Sequence, residues 1–247
     1  MPSLIASNHS AHAFCTTQWT VVLNAKDLSA AEHRAALESL CRNYWFPLYS
    51  FARRKGCSPE DAQDFVQAFF ARLLEKEYLQ AVDRSKGKFR SFLLSSFSHF
   101  LHDEWDKRKR LKRGGGGTFI SLDAAQAEAR YKLEPVDYAT PDELFDRHWA
   151  QVLVDSVLEA LRAEFLESGE ADRFTALQPS LMGELTGPGY KEIAASLRLS
   201  EGGVKSLVRR MRFRFATLLR EQIAGTLVDP SETENEMRHL LQALVSH

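Results

Sequence analysis

Hydrophobic residues recur at three- and four-residue spacing along most of the chain, the period of helices that bury one face. Between Ala35 and Tyr44 the apolar set is Leu37, Leu40, Cys41 and Tyr44. Pro47 breaks or kinks that run, Leu48, Phe51 and Ala52 resume it, and Gly56 stands where a C-terminal cap belongs. Ser58-Pro59-Glu60-Asp61 predicts a helix start: a serine to cap, a proline suited to the first position, and two acids toward the positive end of the dipole. The helix it opens would bury Phe65, Val66, Phe69, Phe70, Leu73 and Leu74, leaving Asp61, Asp64, Gln67 and Arg72 on its wetter side.

A polar connection over 83–88 leads to a further helix with Phe89, Phe92, Leu93, Phe97, Phe100 and Leu101 as its core stripe. It ends in Lys107-Arg108-Lys109-Arg110-Leu111-Lys112-Arg113 and stops at Gly114–Gly117. The four glycines, followed by mixed sequence with Pro135 and Pro141, predict a flexible linker over 114–140. Thr140-Pro141-Asp142-Glu143 is a second capping signature, opening a long helix on Leu144, Trp149, Val152, Leu153, Val157, Leu158 and Leu161. A shorter helix is expected over 170–182, then a turn-rich break at 183–189. Tyr190–Leu197, the tight Arg198-Leu199-Ser200 connection and the basic Glu201–Gln222 segment have the layout of a helix-turn-helix, with Ser200 capping the second helix. After Asp229 the chain turns acidic and is expected to end in a small helix through Leu240, Leu241 and Leu244. The fold class is therefore all-α: two small helical domains joined by a flexible linker.

The length of 247 residues is enough for two such domains. No apolar run approaches the ~20 residues of a membrane span, and Met1–Ala13 lacks the order of a signal peptide. Three cysteines are too few and too scattered for a disulfide framework or zinc knuckle. A cytoplasmic protein with no membrane partner is expected. The net charge of −1 conceals a division. Residues 84–113 carry ten Lys/Arg against three acids, and residues 191–222 carry eight against three, so the remainder of the chain holds a net −13. Two basic blocks in otherwise acidic sequence favour two contacts with a polyanion over two merely solvated helix faces.

The stretch 88–113 mixes aromatic and basic residues as a single-strand surface would, but its phenylalanines fall at core spacing. That leaves Lys88, Arg90, Ser91, Ser95, Ser96 and His99 to face a ligand. His99 and His102 stand three apart near Asp103 and Asp106, a spacing more often met in surface histidines than in a metal site. Gly114–Gly117 lacks the Lys-Ser/Thr and the preceding strand of a phosphate-binding loop. No serine, cysteine or carboxylate has a nucleophile or acid–base setting. No enzyme, cofactor or metal is expected.

The sequence resembles a bacterial RNA polymerase sigma factor of the extracytoplasmic-function type. The likeness rests on Ser58-Pro59-Glu60-Asp61-Ala62-Gln63-Asp64-Phe65-Val66-Gln67, on Lys88-Phe89-Arg90-Ser91-Phe92-Leu93, on Tyr190-Lys191-Glu192-Ile193-Ala194-Ala195 and on Leu199-Ser200-Glu201-Gly202-Gly203-Val204-Lys205. It implies an N-terminal extension at 1–29, a region 2-like domain at 30–113, the linker at 114–140, a region 4-like helix-turn-helix domain at 141–222, and an acidic tail at 223–247. It also implies core RNA polymerase as partner, through the β′ clamp coiled coil and the β flap, with Asp61, Asp64 and Gln67 on the polymerase side. Promoter DNA would be met at the minus-ten element by Lys88, Arg90, Ser91, Ser95, Ser96, His99, Lys107, Arg108 and Arg110. The minus-thirty-five element would fall to Ser200, Glu201, Gly202, Lys205, Ser206, Arg209, Arg210 and Arg212. Ser95-Ser96 stand where housekeeping members carry a tryptophan pair, which implies weaker, more selective melting. Control would come from an anti-sigma factor, a regulatory kinase or the tail. Two other classes fit the same residues: a helix-turn-helix regulator that does not replace a sigma subunit, and a helical adaptor without nucleic acid.

Overall fold

The computed structural model describes residues 30–73, 87–110, 124–133, 139–181 and 189–245. The expected 1–29 extension, Leu74, the basic residues at 84, 86, 112 and 113, and most of the 114–140 segment lie outside them. The described residues form α-helices α1 (Ala30–Arg54), α2 (Pro59–Leu73), α3 (Phe89–Arg110), α4 (Ala124–Leu133), α5 (Pro141–Glu167), α6 (Ala171–Leu177), α7 (Tyr190–Leu197), α8 (Glu201–Ala224) and α9 (Thr233–Val245). Short 3₁₀ turns cover Gln178–Ser180 and Pro230–Glu232. Among these residues extended pairing is confined to one antiparallel bridge between Lys88 and Leu227.

The punctuation read from the sequence is realised by local hydrogen bonds. Gly56 follows α1 at φ +96°, a conformation only glycine takes without strain, and Cys57 N–H returns to the Ala52 carbonyl at 3.1 Å. Ser58 Oγ accepts from Asp61 N–H at 3.0 Å to start α2. Thr140 and Glu143 form a reciprocal capping box: Thr140 N–H donates to Glu143 Oε2 at 2.8 Å, and Glu143 N–H donates to Thr140 Oγ1 at 3.2 Å. Pro47 lies inside α1, which continues past it to Arg54.

The chain divides into two compact units, Met1–Val152 with Ile223–His247, and Leu153–Gln222. This differs from the expected boundaries. The first turns of the long helix (141–152) and the tail (223–247) belong with the N-terminal unit, and the division falls inside α5 and α8. The reason is burial. Tyr44 of α1 is fully buried, stacked on Trp149 of α5 at 4.4 Å and edge-on to Phe89 of α3 at 5.6 Å. The same unit buries Phe65, Val66, Phe69, Phe70 and Leu73 of α2. Phe69 meets Phe97 edge-on at 5.1 Å and Phe100 at 5.7 Å. In the second unit Leu153, Val154, Val157 and Leu161 of α5 share the core with Phe174, Leu177, Ile193, Ala194, Val204, Val208 and Met211.

The flexible linker expected at 114–140 is corrected at its centre, where α4 packs on α1. Glu128 accepts from the Tyr49 hydroxyl at 2.6 Å and from Arg53 at 3.1 and 3.2 Å. The Arg130 guanidinium lies over the Phe46 ring at 4.0 Å, and that of Arg53 lies over Tyr131 at 5.0 Å. Burial works to raise the Glu128 carboxyl, but the bonds from Tyr49 and Arg53 outweigh it and hold its pKa below the ordinary 4.5. A pKa lowered in the folded state adds stability that is complete well above 4.5 and fades as the pH falls through the lowered value.

Two expectations follow from this packing. Tyr44→Ala lowers unfolding stability by about 3–5 kcal/mol, read by urea denaturation, because it removes an aromatic ring from a filled core. Glu128→Gln flattens the acid limb of stability against pH, from about pH 5 downward, in pH-dependent thermal melts; an unchanged limb would show that the carboxylate is not held below its ordinary value.

Candidate nucleic-acid interface

The ridge read from the sequence on α2 keeps its polar face outward. Asp64 is exposed, facing away from buried Val66 and Phe69, and Asp61 and Gln67 are half-buried on either side of it. Spaced every third residue, they form one row along nearly two turns of helix.

The start of α3 departs from expectation. Phe89 N–H donates to the Thr226 carbonyl at 3.0 Å, and Val228 N–H donates to the Gly87 carbonyl at 3.0 Å, so the segment after α8 lies against the entry to α3. Lys88 Nζ lies 2.6 Å from Glu236 Oε2. Arg90 grips the Glu236 carboxylate at 2.5 and 3.3 Å and also pairs with Asp146, which His239 Nε2 meets at 2.8 Å. Glu236 is 1% exposed. Burial opposes its charge, yet the hydrogen bonds from Arg90 and Lys88 prevail and keep its pKa below the carboxylate norm. Burial likewise opposes the Arg90 charge, and Glu236 and Asp146 more than offset it.

Two residues expected to face a ligand are therefore corrected. Arg90 is 7% exposed and Ser96 is 8% exposed. Ser96 adjoins the buried stripe of Phe89, Leu93, Phe97 and Phe100, and Arg90 is enclosed because two carboxylates supply its counter-charges. Lys88 is only half-exposed and already paired. Ser91, Ser95 and His99 are exposed, one turn apart along α3. Lys107 is exposed and pairs with Glu104 at 2.6 Å. The side chains of Arg108 and Arg110 lie outside those described, although α3 runs through Arg110.

Ser91, Ser95 and His99 open on a depression of about 440 Å³ shared with Arg90, Leu94 and Ser98, and closed on its other side by Asp142 and Asp146 of α5. Nothing in the local pattern singles out Ser98, Asp142, Asp146, Glu236 or His239 for this place. The available signal was the acidity of the tail beside two cationic blocks. Among the described residues no three of His, Cys, Asp and Glu come together as a metal ion would require.

In the second unit α7 and α8 follow the expected layout. Between them Arg198 adopts φ +55°, its N–H directed to the carbonyls of Ala194 and Ala195. This left-handed residue makes the reversal tight. Ser200 Oγ accepts from Gly203 N–H at 3.1 Å, as a cap should. A side chain at Gly203 would bring its Cβ to 3.3 Å from that oxygen, which gives the glycine a local reason. Glu201, Gly202, Lys205, Ser206, Arg209 and Arg210 are all exposed. Lys205 Nζ lies 5.9 Å from the centre of the Tyr190 ring. Arg209 and Arg210 make no ion pair with any described carboxylate, whereas Arg212, also exposed, donates to the Ser180 carbonyl at 2.6 and 3.2 Å. Arg214 is clamped by Glu164 at 2.5 to 3.1 Å.

Lys88 and Arg90 at the start of α3 are thus neutralised internally, while Lys205, Arg209 and Arg210 of α8 project outward. No helix among the described residues is long and apolar enough to cross a membrane. Comparison with curated proteins gives no match, and comparison with solved structures gives none. Residues 40–111 match the family model described as Sigma-70 region 2, a span covering α2, α3 and the buried part of α1. The segment 40–111 of this chain is thus similar to sigma-70 region 2.

Proposed function

We propose that this protein is a sigma factor of the extracytoplasmic-function type, which binds core RNA polymerase and directs it to particular promoters. The observation that carries the reading is the Sigma-70 region 2 match, whose segment holds the outward row of Asp61, Asp64 and Gln67 on α2. That row is the docking ridge for the β′ clamp coiled coil. Ser91, Ser95 and His99 form the face toward the minus-ten element, with the depression beside them shaped to receive an unstacked base. The α7–α8 unit acts as the helix-turn-helix. Glu201, Gly202, Lys205 and Ser206 meet base edges at the minus-thirty-five element, and Arg209 and Arg210 neutralise phosphates. The polymerase performs the chemistry; this chain supplies position and selectivity.

Three measurements test the reading. The purified chain should co-elute with core RNA polymerase and support run-off transcription with no other specificity subunit; elution apart from the polymerase would overturn it. Lys205→Ala should relax sequence preference at the upstream element, while Arg210→Ala weakens binding to every sequence, read by competition binding. Replacing both Arg209 and Arg210 with alanine should lower the slope of log affinity against log salt by about 1.8, at ~0.9 for each phosphate no longer neutralised.

A further inference from the structure

The carboxylate of Glu236 is carried to the entry of α3 by a helix 146 residues further along the chain. The first turn of α3 has no acid of its own, although a helix N-terminus favours a negative partner. Glu236 lies beside that entry, almost wholly removed from water, held by Lys88 Nζ and by Nε and Nη2 of Arg90, whose Nη1 turns to Asp146. The chain around it completes the cover. Thr226 takes the amide of Phe89, and His239 of α9 joins Asp146, the other counter-charge of Arg90. Two cations at a helix entry are groups a nucleic-acid phosphate would use, and Ser91, next to Arg90, and Ser95, one turn further on, follow on the same helix.

We propose that the Glu236 carboxylate stands in for a DNA phosphate, so that α9 is a latch that must withdraw before the start of α3 engages a strand. The inference rests on the nucleic-acid reading of α3 given above and adds a regulation to it. The latch is reversible because its occupant and the strand make the same kind of bond to the same two cations. Lys88 and Arg90 are released from Glu236 only in the open state, so the apparent affinity for a strand falls by the fraction of molecules that are open. His239 is half-exposed at the rim of the network, which makes it the least disruptive place to loosen the latch.

The test uses the full chain and its Glu236→Gln, His239→Ala, Lys88→Gln and Lys88→Gln/Glu236→Gln variants, each checked by thermal melting. All are titrated with a short fluorescent single-stranded DNA at fixed salt. Glu236→Gln should bind about tenfold tighter than the parent, His239→Ala tighter by a smaller factor, and the double variant should lose the gain. Unchanged affinity in a folded Glu236→Gln, with Lys88→Gln still weakening the parent, would overturn the latch and leave the nucleic-acid reading standing. Failure of every folded protein to bind would overturn both. Should Glu236→Gln lose its cooperative melt, His239→Ala decides: tighter binding supports the latch and unchanged binding overturns it.

Discussion

A carboxylate buried beside two cations organises the N-terminal unit. Glu236 is almost fully enclosed, and a charge in that position is tolerable only with close partners in good geometry. Lys88 and Arg90 provide them, and Asp146 then balances the remaining charge of Arg90. Each member constrains the others. The entry to α3 must face α9, α5 must present Asp146 within reach, and the segment after α8 must pass close enough for Thr226 to take the Phe89 amide. The assignment of 141–152 and 223–247 to this unit is the visible result.

Apolar packing supplies the strength and the ion network supplies the register. Tyr44, Phe89 and Trp149 bury rings from three helices of the unit, and rings of that size contribute most of what burial can give. Yet an aromatic cluster tolerates small shifts between helices, whereas a forked guanidinium between two carboxylates does not. The Arg53–Glu128–Tyr49 group works the same way for α4, holding a helix in the middle of a segment whose composition suggested only a tether.

The same chemistry explains why the cations at the start of α3 and those along the first turns of α8 have different fates. Near α3 the unit offers buried carboxylates, and Lys88 and Arg90 are used at home. Along the first turns of α8 Lys205, Arg209 and Arg210 project outward, with no ion partner among the described carboxylates. A count of charges along the chain cannot separate these cases, because both blocks look alike as composition. What separates them is whether an acid from elsewhere is folded against them.

Local signals were legible in the residues alone. The Ser58 cap, the Thr140–Glu143 box, Gly56, the Ser200 cap and the buried stripes of α2 and α3 each depend on neighbours within a turn or two, where side-chain chemistry and helical period determine the outcome. The outward row of Asp61, Asp64 and Gln67 and the exposed set from Glu201 to Arg210 followed from the same periodicity. Only the tertiary structure decided the burial of Arg90 and Ser96, the docking of α4, and the joining of Asp142, Asp146, Glu236 and His239 to the α3 site. Those contacts link residues as many as 146 positions apart, and helical periodicity carries no information about which distant surfaces meet.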